Sequence, residues 1–78
     1  MRLLSSIAID IGKNWVNVSY AAKPYLSAMY CLNTLNDSYG LDSGRSIVNY
    51  FLANASQFKG EKANALKLEL KTMLKNSV

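Results

Sequence analysis

Seventy-eight residues make one small domain, half of them hydrophobic and 18% charged, with a formal charge of +4. A chain of this size buries only about 60% of its unfolded surface, so this apolar composition is expected to leave surface for a second copy or another protein to cover. The lack of histidine and the presence of a single cysteine, Cys31, exclude an intramolecular disulfide, a thiolate metal cluster and the usual general base of near-neutral catalysis.

In chain order, Leu4, Ile7, Ala8, Ile11 and Trp15 recur at helical spacing and predict a first helix over residues 1–16. Ser5 or Ser6 is expected to cap it, and Gly12 weakens it by about 1 kcal/mol relative to alanine. The same stretch admits a hairpin, because Ile7, Ile9 and Ile11 alternate, as do Val16, Val18 and Tyr20 across Gly12-Lys13-Asn14. Ala8-Ile-Asp-Ile-Gly12 also resembles the first strand of ribonuclease-H-like and actin-like domains, in which the aspartate holds a metal or approaches a nucleotide. Those folds need a larger sheet that nothing after Tyr20 supplies, so the helical reading is preferred. Asp10 interrupts the opening apolar run, which is neither a good secretory leader nor long enough to span a bilayer.

A second helix is predicted over 20–35, with Pro24 in its first turn, where the missing N–H costs nothing. Tyr25, Ala28, Met29, Leu32 and Leu35 share one arc, and Leu26 and Tyr30 form a second strip, so this helix is expected at the centre of the fold. Cys31 on its apolar arc reads as a small buried filler. Asn36-Asp-Ser-Tyr-Gly40 is a run of turn formers, and Asp42 or Ser43 then caps a third helix over 43–54. Ile47, Val48, Phe51, Ala55 and Phe58 make its stripe, opposite Arg45, Asn49 and Ala53. After a break at 55–60, Ala63, Leu66, Leu70, Met73 and Leu74 mark a fourth helix over 57–75. The expected fold class is therefore all-α: one domain of about four helices, the last two an antiparallel pair.

Residues 59–78 carry five lysines against Glu61 and Glu69. Such a helix attracts nucleic acid or an acidic protein surface, or simply presents a solvated face. A helix-turn-helix reader over 43–75 would place Lys62 and Asn64 at base edges, with Glu61 repelling phosphate. Asp37 and Asp42 bracket a glycine loop, but their spacing does not match a calcium loop and no bidentate glutamate closes it. Gly40 and Gly44 lack the lysine and hydroxyl of a phosphate loop. Lys23 and Ser27, four apart, are a chance-level pairing. Asn17-Val-Ser19 and Asn54-Ala-Ser56 match the glycosylation sequon, although nothing marks the chain for secretion. Leu68 lies opposite the buried stripe among Glu61, Lys71 and Lys75, and calls for cover by the first helix or by a partner.

Trp15-Val-Asn-Val18, Ala21-Ala-Lys-Pro-Tyr-Leu-Ser-Ala-Met29, Tyr39-Gly-Leu-Asp-Ser-Gly-Arg-Ser-Ile-Val-Asn-Tyr-Phe-Leu52 and Gly60-Glu-Lys-Ala63 together resemble a family of small bacteriophage- and prophage-encoded helical proteins of unknown function. The likeness runs from about Ile7 to Leu74; family members carry Trp-Arg-Gly-Glu where this chain has Phe58-Lys-Gly-Glu61. The resemblance implies an accessory product acting in the cytoplasm of a bacterial host, and it transfers no activity.

The resulting expectation is a non-enzymatic protein, without cofactor, metal or membrane span, that binds and modulates or inhibits a host or phage protein. An anti-defence, anti-CRISPR-type inhibitor is the subcase that the phage likeness suggests, and a homo-oligomer is a further expectation. The contact residues are expected to be Tyr39, Arg45, Asn49, Leu68, Lys71 and Lys75. The alternative is a small basic nucleic-acid-binding protein using Lys62, Lys67, Lys71 and Lys75. A third class, a metal-dependent nuclease fragment, would use Asp10.

Overall fold

The computed structural model describes residues 2–76. Four helices, α1 (Leu4–Asn14), α2 (Lys23–Met29), α3 (Gly44–Ala53) and α4 (Glu61–Asn76), are joined by turns and by a two-stranded antiparallel hairpin, β1 (Ser38–Tyr39) and β2 (Asp42–Ser43). The protein is mostly helical rather than all-α.

Leu4, Ile7, Ala8 and Ile11 are buried along one side of α1, so the opening segment is helix and not the alternating hairpin. Neither Ser5 nor Ser6 caps it; both lie inside the helix, and residue 1 of the expected span lies outside the described residues. The Leu4 N–H is instead satisfied by the Asn33 carbonyl at 3.0 Å. A backbone acceptor from a distant turn thus replaces a side-chain cap, which no local pattern announces.

The second helix is half the length that the spacing 20–35 predicts. Pro24 does sit in its first turn. Beyond Met29 the carboxylate of Asp37 accepts the N–H groups of Asn33 at 2.9 Å and Thr34 at 3.1 Å. Those donors are thereby diverted from a helical ladder, and the chain turns. Leu32 and Leu35 are buried from this turn all the same. Cys31, expected as a buried filler, is exposed, because the arc that would have carried it inward ends two residues earlier.

Residues 38–43 fold as a hairpin where the composition indicates a turn alone. Ser38 faces Ser43 and Tyr39 faces Asp42, leaving Gly40-Leu41 as a two-residue connection. Gly40 takes a positive φ of 63° and Leu41 does not, the pattern of a type II′ turn, which demands glycine at its first central position. Ser43 ends the hairpin and caps α3, its Oγ accepting from the Ser46 N–H at 3.2 Å. Gly44 begins α3 in a buried position. An added Cβ would lie 2.7 Å from the Thr34 carbonyl oxygen and 3.1 Å from the Leu35 carbonyl, so only glycine lets the helix seat on that turn.

The core joins all four helices around Phe51, Leu4, Ile7, Ile11, Met29 and Leu70, each buried completely or nearly so. Trp15 stacks on Phe58 with ring centres 4.9 Å apart and meets Phe51 edge-on at 6.1 Å. This aromatic group closes the end of the core where α1 and α3 run into their connections. The broad packed pairs are α2 on α3 and α1 on α4, while α3 meets α4 over a smaller area. At that seam Arg45 Nη1, in the first turn of α3, donates to the Leu74 carbonyl at 3.4 Å. Lys67 Nζ donates to the Ala55 carbonyl beyond the other end of α3 at 3.0 Å.

Candidate functional site: the outer face of the last helix

Successive residues turn about 100° around a helix axis, and that rotation sorts the side chains of α4 into four strips. Ala63, Leu66, Leu70 and Met73 are buried against the rest of the fold. On the flank toward α1 lie Lys62 and Glu69. On the flank toward α3 lie Lys67 and Leu74, the residues engaged at the seam. The outermost strip holds Glu61 at the head of the helix, then Asn64, Leu68, Lys71, Thr72 and Lys75, all exposed.

On the α1 flank, both carboxylates are paired with Arg2. The Arg2 guanidinium grips Glu69 in a two-pronged contact, Nε to Oε2 and Nη2 to Oε1, each at 2.7 Å. Its remaining Nη1 donates to the Asp10 carboxylate on α1. Arg2 thus clamps the first helix to the last. Hydrogen bonding to Arg2 holds both the Asp10 and Glu69 carboxyls below their ordinary pKa values, and the same bonds raise that of Arg2.

The outer strip is different. Neither Lys71 nor Lys75 has an ion-pair partner among the described residues. Leu68, on the same strip, is 63% exposed, and α1 does not cover it. Lys71 follows Leu68 by three residues and Lys75 by seven, so the three stand side by side. Glu69 adjoins them in sequence but points about 100° away, toward Arg2.

The expected contact residues divide accordingly. Leu68, Lys71 and Lys75 form one strip. Arg45 joins its edge through the Leu74 carbonyl, and Asn49 is exposed one helical turn further along α3. Tyr39 is on the hairpin, half-exposed and paired in register with Asp42. The four lysines of the nucleic-acid alternative do not share a face. Lys67, Lys71 and Lys75 follow one row, whereas Lys62 is about 140° around the helix from Lys67, in a shallow depression with Asp10, Lys13 and Asn14. Lys67 is committed to the Ala55 carbonyl and lies 5.9 Å from the centre of the Phe58 ring.

Asp10, the anchor of the nuclease reading, projects from a helix rather than a strand and is held by Arg2. Among the described residues no three cysteine, aspartate or glutamate side chains converge on one point. Asp37 serves its turn: its two backbone donors and the Thr34 side chain hold its pKa below the ordinary value. A cleft of about 230 Å³ opens between Leu3, the turn around Leu35, and Met73 with Asn76.

Sequence spacing alone missed Arg2, whose partner Glu69 is 67 residues distant, and the outward placement of Val16, Tyr20 and Leu41. For Leu41 a signal does exist, since a Gly-X pair between short polar strands puts X at a hairpin tip. No described helix is long and apolar enough to cross a membrane. The chain matches no family model, and no curated protein or solved structure matches it.

Proposed function

We propose that this chain is a non-catalytic accessory protein of phage type that works in the cytoplasm of a bacterial host. It binds a host or phage protein and modulates or inhibits it through the outer strip of α4 and the adjoining edge of α3. The single observation that carries the reading is Leu68: a large aliphatic side chain, 63% exposed, on a helix that already places Ala63, Leu66, Leu70 and Met73 in the core. An isolated exposed leucine is ordinary. This one lies one turn before Lys71 and two before Lys75, neither of which has an ion-pair partner among the described residues, and an apolar side chain with polar neighbours of this kind suits a protein contact. Inhibition of a bacterial defence system is the subcase suggested by the phage likeness of the sequence.

Nucleic-acid binding is the rival reading, favoured by the row Lys67, Lys71 and Lys75 and opposed by the diversion of Lys62 and the engagement of Lys67. Affinity capture with the immobilised chain, run beside a Leu68→Asp/Lys71→Glu variant, tests the proposal. A protein retained by the parent chain and lost with the variant is the expected result. Recovery of nucleic acid alone, or the same proteins on both matrices, would falsify it.

A further inference from the structure

We infer that the outer strip of α4 recognises an acidic helical segment of its partner, with two carboxylates one turn apart and an aliphatic side chain between or beside them. The inference rests on the binding reading above and names the chemistry of the occupant. Lys71 and Lys75 are one helical turn apart, which sets their Cβ atoms about 5–6 Å from each other. A glutamate or aspartate pair at i, i+4 on a partner helix repeats that spacing. Leu68 is one turn before Lys71 and supplies an apolar contact at the same pitch.

Charge complementarity selects the occupant. In the last two turns of α4 the one carboxylate, Glu69, is turned aside and neutralised by Arg2. Among the described residues, Lys71 and Lys75 therefore have no ion-pair partner on the strip itself. A sugar-phosphate backbone would match the cations but would leave Leu68 against hydrated, charged groups. An acidic amphipathic helix satisfies the lysines and buries Leu68 together.

The test uses the full chain, labelled with ¹⁵N, and a helical peptide bearing glutamates at i, i+4 with a leucine one turn before them. Companion peptides replace the glutamates by glutamine or the leucine by alanine, and an oligothymidylate serves as the phosphate probe. The acidic peptide is expected to shift amides across residues 64–75. Its affinity should fall at least tenfold in Lys71→Glu/Lys75→Glu, several-fold in Leu68→Ser, and at least tenfold for the glutamine peptide. Lys71→Gln/Lys75→Gln should give an intermediate loss, and retained amide dispersion shows that each variant is folded. Shifts outside α4, equal binding of the glutamine peptide, no binding of the acidic one, or tighter oligothymidylate binding indifferent to Leu68→Ser each overturn the inference. A partner captured through α4 whose binding survives amidation of its carboxylates leaves the binding reading standing and removes the acidic segment alone. Absence of any α4-dependent partner removes both.

Discussion

The two flanks of α4 hold the same kinds of charged side chain and treat them in opposite ways. Toward α1, Arg2 ties Glu69 and Asp10 into one ionic group that joins the ends of the chain to each other. On the outer strip, Lys71 and Lys75 have no ion-pair partner among the described residues and follow an exposed Leu68. One helix thus serves as a structural staple on one side and as an open surface on the other. Charged residues therefore cannot be assigned to stability or to binding by type; what matters is whether the fold brings them a partner.

The contrast can be broken most forcefully across α4 itself. Leu70 is fully buried, and Leu70→Ala is expected to cost about 2–5 kcal/mol. That is a large share of the roughly 4–12 kcal/mol available to a domain this small. Leu68→Ala should stay within about 0.5 kcal/mol. Urea melts of both variants check this, and a comparable loss for Leu68→Ala would mean that the strip is part of the core.

Next in size is Gly44→Ala, which drives a methyl toward the Thr34 and Leu35 carbonyls. The cost should be about 2 kcal/mol, or a fall of about 10 °C in Tm, because the obstruction is backbone and cannot rotate away. Gly40→Ala also suffers, through its positive φ, but meets nothing within 4 Å and should lose less. Equal losses would show that the close seating of α3 is unimportant.

Arg2→Ala should lower Tm by about 3 °C at low salt, and by less at high salt, since the clamp is surface-exposed. The same variant sharpens the pH dependence. Folding depresses the carboxyls of Glu69 and Asp10 below their ordinary values of 4.5 and 3.8. The folded protein therefore holds those protons more weakly than the unfolded chain. The stabilisation is complete above 4.5 and fades as the pH falls through the depressed values. Melting curves of the parent chain and Arg2→Ala should differ by a constant amount near neutrality and converge in acid. A gap that persists at low pH would assign the effect of Arg2 to packing of its stem rather than to its charge.

Much of the fold was legible because helices advertise themselves locally. A stripe at 3.6-residue spacing located α1, α3 and α4, and the side of each that is buried follows from the same stripe. Pro24 at the start of α2 was legible for the same reason, and the cap of α3 was narrowed to Asp42 or Ser43, of which the structure uses Ser43. The outward position of Leu68 could be read from its place opposite Leu66 and Leu70. The candidate strip was thus half visible: Leu68, Lys71 and Lys75 could be named together, while Lys62 lies about 140° around the helix from Lys67.

Tertiary structure alone decided the rest, because the deciding contacts join groups distant in sequence. One exception is local: α2 ends early because Asp37 captures backbone donors only three and four residues before it, which apolar periodicity does not register, and the exposure of Cys31 follows from it. The first N–H of α1 is satisfied by Asn33. Gly44 is required by a turn ten residues earlier. The pairing of Glu69 on α4 depends on Arg2, at the other end of the chain. Side-chain periodicity records which surface must leave water, a property of each segment alone. The Arg2–Glu69 pairing and the Leu4–Asn33 backbone bond arise when segments meet, and no short window of sequence contains both partners.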